Sequence, residues 1–339
     1  MIKRIKTSIY ARSPRLTKKK LAGKGFIFML HRILPQKERE EFTWNRGLAI
    51  SPEKLEEWVL FFKSKNFDIV SIDEALKRCE IKGSRKFVVI TMDDGYKDNL
   101  TLGLPLFEKL NIPVTIYIST CFPNNTTIYW WYFLEEFLQE NDHIDLTPIG
   151  LCLKLECISS EQKSFAFKGI REKLRQADYQ THVRFAAEIC GIKNLNDVNT
   201  KLNLTWEEVR LLSKSPLITI GAHTVHHVSL SNQTAETAEI EIFSSKKEIE
   251  AQTNLDVYHF AYPYGSLGDA SKREFSLLKK AGFKSGVFNH PGSIFSVEGD
   301  GKYTLPRMGL SDETLKSKML DLFEGKVHLN FNGVNKTIC

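Results

Sequence analysis

One stretch constrains the fold of this chain more than any other: Phe87-Val-Val-Ile-Thr-Met-Asp-Asp-Gly-Tyr-Lys97. An apolar run rich in β-branched residues ends in two carboxylates and a glycine, which is typical of a buried strand followed by a tight turn. Adjacent strand residues point to opposite faces, so Asp93 and Asp94 can face one pocket only where the strand gives way to a loop. Two carboxylates this close resist joint ionisation unless a cation lies near them. The stretch therefore predicts an α/β fold with a site at the carboxyl end of this strand.

A second apolar run, Ile218-Thr-Ile-Gly-Ala222, leads directly into His223-Thr-Val-His-His227. The i, i+4 spacing predicts that His223 and His227 lie on one face of a helical turn and can bind one metal ion. With Asp94 they would form a two-histidine, one-carboxylate set that leaves positions open for water and substrate. Asp93 would stay unligated and act as a base. Taken singly, each motif is more often a turn or a surface coincidence, but their occurrence at the ends of two apolar runs favours a metal site.

The two motifs, in this order, resemble those of the polysaccharide deacetylases, the NodB-like carbohydrate esterases of family 4. The family's Thr-Phe-Asp-Asp-Gly is here Thr91-Met-Asp-Asp-Gly95, and its His-Ser/Thr-x-x-His is His223-Thr-Val-His-His227. A third motif, Arg-x-Pro-Tyr, is matched weakly by Ala261-Tyr-Pro-Tyr264. The resemblance runs from about residue 25 to 325, with a gap at an insertion over about 128–200. It implies an α/β fold, an irregular (β/α)7-type barrel (the NodB homology fold) with a helical insertion.

The resemblance also implies roles for the site residues. His31 ends the apolar run Gly25-Phe-Ile-Phe-Met-Leu30 and is similar to the general acid of the poly-N-acetylglucosamine deacetylases, the branch this chain resembles most. The alternative for His31 is a core or hinge histidine. Asp93 would be the catalytic base, while His226 matches no ligand position and is expected behind the ligands or exposed. The expected cofactor is one divalent metal, zinc with Co²⁺, Ni²⁺ or Fe²⁺ as alternatives, held by Asp94, His223 and His227.

The chain departs from the family pattern at two places. The family arginine that orients the base is replaced by Ala261, and Arg307, in Leu305-Pro-Arg-Met308, is either its replacement or a surface ion pair. Pro263 and Tyr264 match the family's Pro-Tyr pair, whose following backbone helps to hold an oxyanion. With Arg307, they are the residues expected to bind the substrate or its oxyanion. The family's late Leu-x-x-His motif is absent. His290 is the nearest candidate and is typical of a loop residue, so the absence favours His31 as the acid.

Strands alternate with helices along most of the chain, which predicts parallel strands with crossover helices. Residues 128–200 depart from this alternation, and we interpret them as a helical insertion that shapes access to the site. Its leading cluster, Tyr129-Trp-Trp-Tyr-Phe133, either stacks on sugars or lipid or cements the insertion to the barrel; the second interpretation is favoured. The other predicted elements are strands at 67–71, 114–119 and 258–265 and helices at 99–110, 160–177, 181–191, 235–252 and 311–324.

Charge is distributed unevenly. Residues 1–24 hold nine lysines and arginines and no acid, which leaves 38 basic against 41 acidic residues in the rest of the chain. This basic N-terminal arm is either simply solvated or makes peripheral contact with an anionic membrane. Nothing else supports nucleic-acid binding. No apolar segment follows the charges as in a secretory signal, and no run of 18 apolar residues occurs. The expected location is the cytoplasm, with possible peripheral contact at the cytoplasmic face of the membrane. Residues 326–339 are expected to form a polar tail.

Six cysteines without paired spacing are typical of reduced thiols, and the hydrophobic content of 42% supports a packed core. The expected activity is metal-dependent removal of an N-acetyl or other acyl group from an amino sugar. The expected substrate is a cell-envelope polysaccharide or lipid-linked glycan precursor. The alternatives are an O-acetyl esterase, a metal-free relative acting on cyclic amides, and a non-catalytic glycan-binding protein on a decayed barrel. Asp94 with both histidines argues against the last two.

Overall fold

Seven parallel strands close a barrel in the computed structural model, which describes residues 22–295 and 297–324. They are β1 Gly25–Leu30, β2 Phe87–Asp94, β3 Val114–Ile118, β4 Ile218–Ala222, β5 His259–Ala261, β6 Ser285–Phe288 and β7 Leu305–Gly309. Each strand pairs with the next along the chain, and β1 also pairs with β7, which closes the sheet. The expected (β/α)7-type barrel is therefore confirmed.

The strand register brings the two halves of the predicted site to one level. In the ladder from β2 through β3 to β4, Asp94 is paired with Ile118, and Ile118 is paired with Ala222. Because the strands are parallel, their carboxyl ends meet at one end of the barrel. The residues that follow Ala222 therefore emerge two strands away from Asp94 at the same height.

Helices cover the outside of the barrel and form the insertion. In chain order they are α1 Gln36–Glu40, α2 Pro52–Ser64, α3 Ile72–Glu80, α4 Leu104–Leu110, α5 Trp130–Glu140, α6 Ser160–Gln176, α7 Tyr179–Arg184, α8 Asn196–Leu202, α9 Trp206–Leu212, α10 Ala235–Thr253, α11 Lys272–Lys280 and α12 Lys316–Phe323. Wider turns at Asn99–Gly103 and Phe185–Ile189 extend α4 and α7. On α10, Ile242 and Ile249 are buried in the core, whereas Ile240 is 53% exposed.

One predicted strand lies outside the closed barrel. Of residues 67–71, only Asp68–Ile69 is extended, and it pairs with the first two residues of β2. From Ile90 onward, this edge of β2 is hydrogen-bonded to β3. A longer strand at 67–71 would therefore find no free edge of β2 to pair with. The seventh barrel strand is instead β6, whose short run is interrupted by Gly286 and was not identified from the sequence. A small parallel pair, Arg32–Ile33 with Ala49–Ile50, lies beside β1.

The insertion packs on the barrel through aromatic side chains. It contains α5 to α8 and an antiparallel hairpin, His143–Asp145 with Lys154–Glu156, which the sequence analysis did not predict. All five residues of Tyr129–Phe133 are buried. The Tyr129 ring lies 5.6 Å from that of Phe122 and 5.9 Å from that of Tyr96, both in loops of the barrel. The aromatic cluster therefore joins the insertion to the barrel.

The two ends of the chain, for which a basic arm and a polar tail are predicted, are largely outside the described residues. Residues 1–21, most of the basic arm, and the tail 326–339 lie outside the described residues. Within the described ranges, no helix combines the length and apolarity needed to cross a bilayer. The cysteines that the structure covers all carry free thiols; they are Cys79, Cys121, Cys152, Cys157 and Cys190.

Candidate active site

A cavity of about 580 Å³ opens at the carboxyl end of the barrel. It is within the size range of small-molecule sites. Its floor comes from residues at strand ends, and its outer wall comes from the loop 42–48 and the insertion. The floor includes Met29, His31, Asp93, Asp94, His223, His227, Tyr262, Tyr264, Asn289, Arg307 and Gly309.

The β2 strand breaks at the second aspartate. Asp94 has a φ of 81° and Gly95 a φ of 115°, both in the left-handed region. Aspartate tolerates this region better than most residues, and glycine adopts it freely. The break lets Asp93 and Asp94 face the same cavity despite being neighbours, and both are buried.

The histidine segment is not helical, so the predicted helical turn is wrong. Thr224 and His227 have φ values of 67° and 55°, which interrupt a right-handed helix. The Glu241 carboxylate, on α10, accepts hydrogen bonds from the N–H groups of Val225 and His226 at 2.8 and 2.9 Å. These donors are satisfied by a side chain rather than by the carbonyls of a preceding turn. A strained loop, held from behind, therefore presents His223 and His227.

Asp94, His223 and His227 meet as a set. Asp94 Oδ1 lies 3.5 Å from His223 Nε2 and 3.3 Å from His227 Nε2. One ligand atom from each residue lies within 4.8 Å of the others. Asp94 Oδ1 is buried and has no hydrogen-bond partner among residues 22–295 and 297–324. Such an orphaned oxygen beside two imidazole nitrogens suits a divalent cation, so the residues fit a metal site.

Each of the two histidines presents its Nε2 atom to Asp94. His223 Nδ1 donates to the Ala261 carbonyl at 2.7 Å, which leaves Nε2 as the acceptor facing Asp94. The His227 ring packs between Trp131 and Tyr264, with ring centroids 5.6 and 4.8 Å away. Burial lowers the pKa of His227 to about 3. A neutral imidazole is the form that binds metals.

Arg307 holds the first aspartate. Its Nη1 and Nη2 donate to Asp93 Oδ1 and Oδ2, each at 2.7 Å, and Nη1 also donates to Thr91 Oγ1 at 3.1 Å. The Arg307 side chain is only 1% exposed, so the surface ion pair alternative is wrong. Burial raises the pKa of Asp93, but the Arg307 guanidinium more than offsets this and holds it below the usual value. Asp93 is therefore a carboxylate at neutral pH.

Space for this arginine is made inside the barrel. Its guanidinium carbon lies 5.5 Å from the centre of the Tyr117 ring. A Cβ on Gly221 of β4 would lie 2.4 Å from that ring, so glycine is needed for the packing. Ala261 is fully buried where the family arginine stands. Arg307 therefore contacts Asp93 from β7. In the family, the arginine that orients this aspartate comes instead from the position of Ala261, in the third motif.

His31 follows β1 and lines the cavity half-buried. Its carbonyl accepts from Asn99 Nδ2 at 2.9 Å. The next residue, Arg32, forms a buried ion pair with Asp98 at 2.8 Å, and Asp98 also accepts from the N–H of Ile33 at 2.9 Å. The backbone around His31 is therefore held by Asp98 and Asn99, which follow the Asp-Asp turn, while the role of His31 as general acid stays a prediction.

The Pro-Tyr turn forms another wall. Tyr264 has a φ of 59°, and the N–H of Gly265 donates to the Pro263 carbonyl at 2.6 Å. Within the described ranges, the N–H of Tyr264 makes no hydrogen bond. Burial raises the pKa of the Tyr264 phenol, which stays protonated. The oxyanion roles of Pro263, Tyr264 and Arg307 stay predictions.

Two supporting residues, Glu241 and Glu135, were missed by sequence reasoning, whereas His226 was expected behind the ligands or exposed. His226 Nδ1 bonds to Glu241 at 2.7 Å and its ring lies 4.1 Å from that of Tyr179, so His226 stabilises the loop from behind. Buried Glu135 accepts from the N–H groups of Trp44 and Asn45, each at 3.0 Å. These partners are far apart in sequence and carry no local motif. A tryptophan in the polar loop 33–50 was the available signal for the cavity wall.

The comparisons with known proteins agree with this geometry. Residues 172–286 match the family model of polysaccharide deacetylase. No curated protein matches the chain significantly. The Streptococcus pyogenes deacetylase PplD in complex with acetate aligns at 16% identity with a TM-score of 0.57, over 88% of this chain and 97% of its own. IcaB from Ammonifex degensii aligns at 13% identity with a TM-score of 0.55, over 90% and 98%.

The BpsB deacetylase domain from Bordetella bronchiseptica aligns at 12% identity with a TM-score of 0.51, over 84% of this chain and 95% of its own. At such identities these likenesses concern the fold. The family match includes the second and third motifs, and the barrel brings the first motif to the same cavity. Residues 172–286 therefore resemble the polysaccharide deacetylase family, and they lie in a seven-stranded parallel barrel whose fold is similar to that of the solved deacetylases.

Proposed function

We propose that this protein is a polysaccharide deacetylase, a metal-dependent enzyme that removes an N-acetyl group from an amino sugar. The observation that carries the proposal is that one cavity contains both a set of metal ligands and a separate carboxylate that can act as a base. Asp94, His223 and His227 form a donor set for a divalent cation, and Asp93 stands beside them as an arginine-held carboxylate. This N₂O donor set suits zinc, with cobalt, nickel or iron as alternatives.

The chain's own groups divide the reaction between them. A bound cation would polarise the acyl carbonyl and lower the pKa of water at the site. The Asp93 carboxylate accepts the proton of the attacking water, and Arg307 keeps the two oxygens oriented for it. The N–H of Tyr264 stabilises negative charge on the carbonyl oxygen. His31, on the β1 side, donates a proton to the leaving nitrogen.

The need for a general acid differs between amide and ester hydrolysis. An amine is a poor leaving group unless it is protonated, whereas an alkoxide departs more readily. A histidine at the end of β1, the strand next to that of the base, therefore favours an N-acetyl substrate. An O-acetyl esterase would use the same donor set, and it is the second candidate because the cavity holds everything an ester needs.

We also propose that the substrate is a cell-envelope glycan or its lipid-linked precursor, met at the cytoplasmic face. The support is the charge of residues 1–24, with nine basic and no acidic residues. Each basic residue near an anionic surface adds about 1 kcal/mol of attraction. Deletion of 1–24 should weaken co-sedimentation with phosphatidylserine-containing vesicles. Equal sedimentation of both proteins would remove this part of the proposal.

The reaction is tested by metal content and by product. Purified protein should hold about one divalent ion per chain, as expected for a single mononuclear site. A double variant, Asp94→Ala with His223→Ala, should hold none. The metal-loaded protein should release acetate from N-acetylglucosamine oligomers faster than from an O-acetylated sugar. Loading that leaves both substrates intact would reject the hydrolase, and faster O-acetyl release would establish the esterase.

A further inference from the structure

The outer wall of the cavity is built by residues that do not belong to the barrel. Trp44, from the loop 42–48, stacks on Phe167 of α6 with ring centroids 5.1 Å apart and planes inclined by 22°. Its indole N–H donates to Ser164 Oγ at 2.9 Å. Ser164, Phe167 and Arg171 are spaced three and four residues apart, so they share one face of the helix. Trp44, Phe167 and Arg171 all line the cavity.

This wall is held in place before any ligand arrives. The Glu135 carboxylate of α5 accepts hydrogen bonds from the backbone N–H groups of Thr43, Trp44 and Asn45, and from Asn45 Nδ2 at 2.6 Å. Glu135 is buried, which makes these charge-assisted bonds strong. An aromatic face fixed in this way loses little conformational entropy on binding.

Arg171 is a charged residue on this wall whose side chain has no partner among the residues that the structure describes. Its neighbours are matched: Arg175 bonds to Glu172 at 2.6 Å and to both oxygens of Asp269 at 2.7 Å. Deeper in the cavity, Arg307 is matched by Asp93. The Arg171 side chain is exposed and takes part in no hydrogen bond or ion pair with any residue in 22–295 or 297–324.

We propose that Trp44, Phe167 and Arg171 form a subsite for a negatively charged group, phosphate or carboxylate, carried by the glycan next to the acetylated sugar. The inference rests on the proposed function and names its substrate class. A guanidinium binds an oxyanion through two parallel hydrogen bonds. The stacked aromatic pair next to it offers an apolar face to a sugar ring. Neutral amino-sugar polymers would leave Arg171 unused.

The test is equilibrium binding to the full-length protein, measured by calorimetry. The ligands are N-acetylglucosamine, N-acetylglucosamine 1-phosphate and a disaccharide of N-acetylglucosamine with glucuronic acid. The wild type should bind at least one charged ligand about 10-fold more tightly than the neutral sugar, as expected for one partly solvated charge-assisted contact. Arg171→Gln should remove most of this preference and Arg171→Lys should keep part of it. Lys168→Gln, on the same helix but away from the cavity, is the matched control and should keep all of it.

The outcomes are separable. Loss of the preference in Arg171→Gln alone supports the subsite, and the ligand that shows it decides between phosphate and carboxylate. A preference that survives Arg171→Gln, as it would if the anion bound at the metal set, overturns the inference. Equal binding of charged and neutral ligands to the wild type, or no binding of any, also overturns it. Acetate release is measured separately, so an inactive protein that binds as expected rejects the proposed function and keeps the subsite.

Discussion

The barrel floor and the insertion wall meet in one cavity but are built differently. On the floor, charged groups are buried and paired, as in the Asp93–Arg307 pair at 2.7 Å. On the wall, α6 carries a buried aromatic residue, Phe167, and a cation, Arg171, whose side chain has no bonded partner in the described part of the chain. Buried, fixed groups suit a reaction that is the same for every substrate, whereas a half-exposed wall suits recognition of what surrounds the reacting group. Changes to the floor should therefore alter kcat and metal binding, and changes to the wall should alter KM and selectivity.

The largest effect is expected for the floor ligand Asp94. Asp94→Asn replaces a charged ligand that has no other hydrogen-bond partner in the described ranges. Metal content should fall to background, and kcat/KM should drop on the order of 1000-fold, because metal polarisation contributes several kcal/mol. Elemental analysis and acetate release measure both. Asp197→Asn, far from the cavity, is the control; a fully active, metal-loaded Asp94→Asn protein would contradict the assignment.

Arg307 is expected to come next. Arg307→Met leaves Asp93 as a buried, unpaired carboxylate, which should reduce kcat on the order of 100-fold, as for the loss of a general base. Because Arg307 orients the base and the metal set is separate, metal content and KM should change little. Arg307→Lys should recover part of kcat. A rise in KM with unchanged kcat would instead assign Arg307 to substrate binding, the other role inferred from the sequence.

Buried His182 should make the insertion sensitive to acid. Burial lowers the pKa of His182 to about 4, and the ring bonds to the Leu174 carbonyl at 2.7 Å. The unfolded chain, with a histidine pKa of about 6.5, binds the proton first. Stability is therefore full above pH 6.5 and falls as the pH drops towards 4, by about 3 kcal/mol over the whole window.

His182→Gln removes this titration. Thermal unfolding of the wild type should lose more stability between pH 7 and pH 4.5 than that of the variant does. The exposed His143, in the hairpin, is the control, and His143→Gln should behave as the wild type. Identical pH dependence in the wild type and His182→Gln would show that acid acts elsewhere.

The smallest effect is expected for the anchor of the wall. Glu135→Ala removes the acceptor that holds Thr43, Trp44 and Asn45. The loop should loosen, so KM should rise about 10-fold while kcat stays close to the wild-type value, since binding contacts are lost uniformly. Glu136→Gln, at the next position, is the matched control. A fall in kcat at unchanged KM would mean that wall and floor do not act separately.

The sequence alone determined the parts of this protein that depend on short segments. The strand ending in Asp93 and Asp94 and the strand ending at Ala222 are visible as apolar runs, because a buried strand needs nothing else. The glycine after Asp94 and the capping residues of the helices are likewise local features. The family resemblance followed from these segments, and with it the barrel.

Tertiary structure decided everything that joins distant segments. Arg307 can take the place of the missing arginine because β7 lies next to β1 in the closed barrel, where Ile27 is paired with Arg307. The loop that carries His223 and His227 has left-handed backbone at two residues, and Glu241 of α10 accepts hydrogen bonds from two of the loop's N–H groups. Trp44 and Arg171 share a wall only because Glu135 fixes one of them. Such contacts depend on where chain segments pack in space, and no local pattern encodes that.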